Sequence, residues 1–317
     1  MINAIIPTML VSLGSPALAA ELPSEEVRWD WSEPQRYYLE TEVRLPYLMW
    51  LAKRFNEQAR VNAFQLRLVA HCEPSAELKR RQEVLCTIDD IGIKASGVRQ
   101  EQGLLQPILE ELDERLTGAV VQLELRDDGR LSNIDLEELD RRNRRVGRIN
   151  ENLRLILTRA FAGLDLPMPR NPEDPQWVQH DSWLLKAPAA QGSVGSAQLV
   201  HQWGDEQAGL HRIVTGGRAI IVPALSGNQY DARMTSEAWF DTADGRLTDR
   251  TWTMVATPTP SSALTEGLAG YPYLQVGRVM ALPEGQDHPV GTTEELPPLD
   301  DDPTAIQQWQ VLGLVPR

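Results

Sequence analysis

An α+β fold, mainly an antiparallel and strongly curved β-sheet with one long amphipathic helix packed against it, is what the patterning of the chain predicts. Three observations carry that expectation. Short runs alternating apolar and polar side chains recur in both halves; turn signals rich in glycine and proline, 22 residues of each, separate them; and one extended stretch instead shows helical spacing. At roughly 150 residues per domain, a chain of 317 residues suits two domains or one large β body.

The first element is a targeting signal. Residues Ile5 to Leu13 are mostly apolar, Gly14, Ser15 and Pro16 break the run, and Ala17-Leu18-Ala19 has the small-residue spacing of a cleavage site. Residues 1–20 are therefore expected to be a signal peptide, placing the mature protein in the periplasm or among secreted proteins. The run is too short to span a bilayer, and no transmembrane segment is expected in the mature chain.

Strand-like alternation begins at Val27, Trp29 and Trp31 and resumes through Tyr37, Leu39, Thr41, Val43 and Leu45. Tyr47 to Ala59 is ambiguous between a strand and a short helical face. Phe64, Leu66, Leu68, Ala70 and Cys72 alternate with polar neighbours, as do Val84, Cys86 and Ile88, and Ile91 and Ile93 resume the pattern beyond Asp89-Asp90. Glu73 to Glu83 reads as a polar loop between them. Cys72 and Cys86 are the two cysteines of the chain. On neighbouring antiparallel strands they would form a disulfide contributing about 3 kcal/mol; the alternative is two buried thiols.

Leu104 to Leu116 carries a helical apolar stripe, and Val121, Leu123 and Leu125 return to strand spacing. Asp127-Asp128-Gly129-Arg130 is a hairpin-turn signal. The clearest helix runs from Leu136 to Ala162, with Leu139, Val146, Ile149, Leu153, Ile156, Leu157 and Ala160 mostly on one face and an arginine-rich solvent side. Gly163, Pro167 and Pro169 end it. The resulting organisation is a β-rich N-terminal half with the long helix (21–164), a linker (165–175), a C-terminal antiparallel β half (176–282) and an acidic, proline-rich tail (283–317). Asp244-Gly245-Arg246-Leu247 repeats Asp128-Gly129-Arg130-Leu131. Four residues of common turn composition support a second hairpin more strongly than a duplication.

A formal net charge of −14 repels phosphate backbones and argues against a nucleic-acid partner. No cofactor motif is present. Asp241, Asp244 and Asp249, and the run Asp300-Asp301-Asp302, lack the ligand pattern of a calcium loop, and no metal site is expected. The five histidines have no close metal-pair spacing, and Gly192-Ser193-Val194-Gly195-Ser196 has the wrong order for a nucleophile elbow. No catalytic residue is assigned. The nine tryptophans are more informative: seven of them, Trp29, Trp31, Trp177, Trp183, Trp203, Trp239 and Trp252, lie in β-like segments and either fill a broad core or line a concave sheet around an apolar or carbohydrate ligand. Trp177, Trp183, Trp203, Trp239 and Trp252 are the candidate ligand-binding residues.

By architecture, an exported chain with a curved antiparallel sheet and a helix against it resembles bacterial envelope proteins that shelter lipid or lipoprotein acyl chains. The resemblance implies a non-enzymatic envelope protein that binds a hydrophobic ligand, such as a lipid, or another envelope protein. Two alternatives remain: a scaffold or adaptor without a ligand, and an extracytoplasmic hydrolase. The latter requires two or more of His180, His201, His211, Asp205 and Asp241 to converge in one cleft.

Overall fold

The computed structural model describes residues 23, 27–54, 57–78, 81–97, 110–136, 151–171, 173–185, 192–223, 230–258, 273–283 and 285–286. These residues build one antiparallel sheet of eleven strands. In chain order they are β1 (Gln35–Arg54), β2 (Glu57–Leu78), β3 (Arg81–Gly97), β4 (Val120–Arg126), β5 (Leu131–Asp135), β6 (Gln176–Gln179), β7 (Gly192–Gln207), β8 (Leu210–Pro223), β9 (Tyr230–Asp241), β10 (Arg246–Pro258) and β11 (Tyr273–Leu282). Their spatial order is β5-β4-β3-β2-β1-β11-β10-β9-β8-β7-β6. Two meanders thus join where β1 pairs with β11, and β5 and β6 form the two edges.

The fold is therefore nearly all-β, which corrects the expected α+β class with a long amphipathic helix. The described helices are short: α1, residues 110–116, and α2 (Glu151–Phe161), followed by a 3₁₀ turn at Ala162–Leu164. Of the helix expected from Leu136 to Ala162, residues 137–150 lie outside the described residues. The physical reason for the misreading is burial. Ile156, Leu157, Arg159, Ala160 and Phe161 are all buried and Thr158 is half-buried, so little of the end of α2 faces solvent. It is inserted against β1, near β11 and β2, instead of being laid as an amphipathic layer over the sheet.

Two other local expectations change. The ambiguous stretch from Tyr47 is strand as far as Arg54, and the expected loop from Glu73 continues the β2–β3 pairing through Leu78 and Arg81. The hairpin is longer because Glu73, Pro74, Ala76 and Glu77 face residues of β3; polarity on an exposed ladder looks like polarity in a loop. The interruption at Asp89-Asp90 is a bulge. Val69 pairs with Asp90 but Ala70 with Ile88, and the extra residue lets Ile88, Ile91 and Ile93 all be buried. Cys72 and Cys86 are direct partners across β2 and β3, and their sulfurs are 2.10 Å apart.

Both Asp-Gly turns form, joining β4 to β5 and β9 to β10, with φ of 79° at Gly129 and 62° at Gly245. Both abut the segment before β1. A Cβ on Gly129 would lie 2.0 Å from Trp29 Cδ1, and one on Gly245 would lie 2.6 Å from the carbonyl of Arg28. Asp30 N donates to Gly245 O at 2.8 Å, and Trp29 Nε1 to Leu166 O at 2.8 Å. One short N-terminal stretch thereby ties together hairpins from opposite halves of the sheet.

Candidate functional site

Cross-strand register arranges the buried face of the sheet in rows. Trp203, Ile213, Ala238, Arg250, Val279, Leu39, Leu68 and Ile91 face one another in sequence across eight strands. The next row contains His201, Thr215, Ser236, Trp252, Gly277, Thr41, Leu66 and Ile93, and the next contains Leu199, Gly217, Met234, Met254, Gln275 and Val43. The opposite face carries ion pairs such as Arg67–Glu40 (2.9 Å), Arg278–Asp249 (2.7 Å) and Arg212–Glu237 (2.9 Å). One face is thus largely charged, apart from a small apolar cluster of Tyr38, Val69, Met280 and Leu282, and the other is built mainly for apolar contact.

The edges of the sheet show how strongly that inner face is curved. Leu131 N, on edge strand β5, donates to Asp165 Oδ1 at 3.0 Å, and Gln179 Nε2, on edge strand β6, donates to Asp165 Oδ2 at 3.0 Å. Flat, the ten strand spacings would hold these edges about 48 Å apart. Instead they meet on one carboxylate. Ser182 Oγ (3.1 Å) and Trp183 N (2.8 Å) also donate to Oδ2, and Trp183 Nε1 returns to the carbonyl of Leu131 at 2.8 Å. Asp165 is fully buried. Burial pushes its carboxyl up from the usual range, opposed by these donors and by the nearby Arg250 guanidinium.

Arg250 is also fully buried. Its Nη1 donates to Gly163 O (2.9 Å) and Asp165 O (2.8 Å), and its Nε to Ser236 Oγ (3.0 Å). Burial pulls its pKa down to about 10, with Asp165 acting in the other direction. His201 extends the network. Its Nδ1 lies 2.8 Å from Thr215 Oγ1 and its Nε2 3.1 Å from Gln179 Oε1. Because Gln179 spends Nε2 on Asp165, its Oε1 must accept, so His201 is protonated on Nε2 and accepts from Thr215 on Nδ1. Burial, then Arg250, lowers the His201 pKa to about 3. A histidine held neutral with both nitrogens engaged is a structural link between strands.

The candidate tryptophans divide by face. Trp203 and Trp252 are buried in the inner core, with Trp177 and Trp183 half-buried against it. Trp177 stacks on His201 at 5.5 Å between ring centroids and lies 5.1 Å from Trp203. Trp239 alternates with buried Ala238 and Phe240 and so lies on the other face of β9. At the end of the inner face near the Asp-Gly turns, Trp29 stacks on Trp31 (5.5 Å) and meets Phe240 edge-on (5.3 Å). Aromatic side chains stopper this end.

The residues required for a hydrolase do not gather. His201 is consumed as above, His180 is exposed, and His211 lies 3.8 Å from Glu206. Asp205 pairs with Arg212 at 3.1 Å, and Asp241 Oδ1 caps the turn through Ala243 N and Asp244 N. Asp249 is engaged by Arg278; Asp300-Asp301-Asp302 and the expected signal peptide, residues 1–20, lie outside the described residues. No metal-binding cluster occurs among the described residues.

Sequence patterning missed the residues that organise this face: Asp165, Gln179, Arg250 and Gln275. A carboxylate between Leu164 and Leu166, and an arginine at an inward position of β10, were the available signals, since burial of such groups demands partners. No family model matches the chain, and no curated protein matches it. Among solved structures, "Lipid-protein interactions in lipovitellin" is similar over 85% of this chain and 27% of that one, with 9% identity and a TM-score of 0.46.

Proposed function

We propose that this is an exported, non-enzymatic envelope protein that holds an apolar ligand against the inner face of its rolled sheet. The observation that carries the reading is the gradient along that face. One end is filled by Trp29, Trp31, Trp203 and Phe240, whereas between Trp203 and the buried Tyr230 the rows become small or pliable, with Met234 and Met254 directly paired and Ala232 paired with Ala256. Unbranched methionines adapt to irregular apolar shapes. Trp203 and Trp252 then contribute walls, and Trp177 and Trp183 brace them.

Export is supported by the apolar leader and small-residue cleavage signal in residues 1–20, and by the pairing of Cys72 with Cys86, a bond that persists in oxidising compartments. The test is native mass spectrometry of protein recovered from the exported fraction of its own host, followed by organic extraction. Cleavage after Ala19 or Ala20 and a stoichiometric apolar adduct are expected. An intact N-terminus would remove export from the reading. A cleaved, adduct-free protein that also fails to take up hydrocarbon in vitro would favour a scaffold.

A further inference from the structure

The side chains of the inner face are closed to water. Leu39, Leu68, Ala232, Met234, Met254 and Val279 are each 0–1% exposed, so an apolar ligand reaches them only if the rolled sheet opens. Where it opens is set by what joins each strand to the next. Around most of the roll the joint is a ladder of backbone hydrogen bonds, as between β1 and β11, which pair residue by residue from Arg36 and Leu282 to Arg44 and Leu274. Separating such neighbours breaks the ladder as well as the core behind it.

Between the two edge strands, β5 and β6, the joint is of another kind. The segment from Gly163 to Trp183 fills it and is fixed to the β6 side. Arg250 Nη1 donates to Gly163 O (2.9 Å) and Asp165 O (2.8 Å), Gln179 Nε2 to Asp165 Oδ2 (3.0 Å), and Trp177 Nε1 to Pro167 O (2.8 Å). Toward the β4–β5 hairpin the segment is held by isolated bonds: Leu131 N to Asp165 Oδ1 (3.0 Å), Met168 N to Asp128 O (2.8 Å) and Trp183 Nε1 to Leu131 O (2.8 Å). Arg130 is drawn to Asp165 and Asp181 across the same joint.

The strands that meet there are also the shortest of the sheet, β5 with 5 residues and β6 with 4, against 20 in β1 and 22 in β2. Burial of Leu131 and Leu166 keeps the joint shut at rest. We infer that this joint is the gate of the roll: the β4–β5 hairpin swings away from the Gly163–Trp183 segment while keeping its ladder to β3, and an apolar chain enters the inner face through the gap. The gate rests on the apolar-ligand reading above and specifies the ligand's route.

Trp183→Phe tests it, because the variant keeps an aromatic ring and loses one bond across the gate. Native-state hydrogen exchange reads the opening, and stopped-flow uptake of the neutral fluorophore N-phenylnaphthylamine reads the entry. In wild type, β5 is expected to exchange ahead of β1 and β11. In Trp183→Phe that exchange should rise about fivefold, the worth of one hydrogen bond. Uptake and release of the probe should both accelerate by the same factor, leaving its affinity nearly unchanged. Trp177→Phe loses an equivalent indole bond that does not cross the gate and should leave the exchange of β5 where it was. Equal protection of β5, β1 and β11 in wild type overturns the gate, as does a Trp183→Phe protein whose β5 exchange or probe uptake is no faster. Weaker affinity at an unchanged uptake rate makes Trp183 a wall of the site and overturns the gate as well. If Trp183→Phe does not fold, the exchange order in wild type decides. Failure of wild type to take up the probe while β5 still exchanges first overturns the apolar-ligand reading instead, and the opening stands without it.

Discussion

Leu131 donates its main-chain N–H to the carboxylate of Asp165, 34 residues away, at 3.0 Å. Through that bond an edge strand is fastened to the residue that also receives Gln179 from the opposite edge. The clasp replaces the missing ladder between β5 and β6 with side-chain hydrogen bonds, so a sheet with two free edges behaves as a nearly closed one.

Asp165→Ala is expected to cost about 3–5 kcal/mol, because Arg250 loses its counter-charge and several buried donors lose their acceptor. Urea unfolding followed by tryptophan fluorescence measures it. Hydrogen exchange should show β5 and β6 losing protection before β1 and β11. A cost under about 1 kcal/mol would mean that the clasp is incidental to stability.

His201 predicts an acid-sensitive stability. Its pKa is lowered in the folded state to about 3 from 6.5, so below pH 6.5 the unfolded chain binds a proton that the native one does not. Stability from this group is complete above pH 6.5 and falls with pH down to about 3, with a slope of up to about 1.4 kcal/mol per pH unit. His201→Gln should be less stable at pH 7 but have a shallower acid slope. An unchanged slope in that variant would assign the acid sensitivity elsewhere.

Asp113 acts with the opposite sign. Burial, assisted by Asp90 and Glu110, raises its pKa to about 7 against a hydrogen bond from Ile93 N. The native state therefore retains a proton that the unfolded chain releases, and its contribution declines as pH rises from about 4 to about 7. Asp113→Asn should gain stability relative to wild type at pH 8 and lose that advantage at pH 4. Paired denaturation curves at those two pH values measure the difference.

Gly277→Ala should destabilise the protein by about 1–3 kcal/mol, since the new methyl enters the Trp252 ring. Trp252→Leu in the same chain should recover part of that loss. A double-mutant cycle with zero coupling would show that the ring moves aside freely.

Replacing Cys72 and Cys86 by alanine together removes a cross-link with a sequence separation of 14. A loss of about 3 kcal/mol is expected from the freed unfolded chain. Thermal unfolding with and without reductant checks it: reductant should lower the wild-type midpoint and leave the double variant unaffected.

Strand periodicity was readable wherever alternation ran uninterrupted, as from Tyr37 to Val43 and from Phe64 to Cys72, and the Asp-Gly pairs marked real turns. The helix was over-read because apolar spacing identifies a helical face but not whether protein surrounds it, and the last turn of α2 is buried except at half-buried Thr158. The candidate site was legible only as a bias toward tryptophan. Which tryptophans face inward follows from register, so Trp239 and Trp203 look alike until their strands are paired. Gln275 is one more polar residue in a strand until its neighbours are known to be apolar.

The central claim is that the inner face of the rolled sheet receives an apolar chain. Quenching of intrinsic tryptophan fluorescence by an alkyl ester brominated along its chain tests it most directly, since bromine quenches on contact and Trp252 and Trp203 are walls of that face. Saturable quenching that reaches one ester per protein, diminishes in Trp252→Phe and is reversed by excess unbrominated ester is the predicted result. Quenching that never saturates, or is unchanged when Trp252 is removed and undisturbed by the competitor, would contradict it.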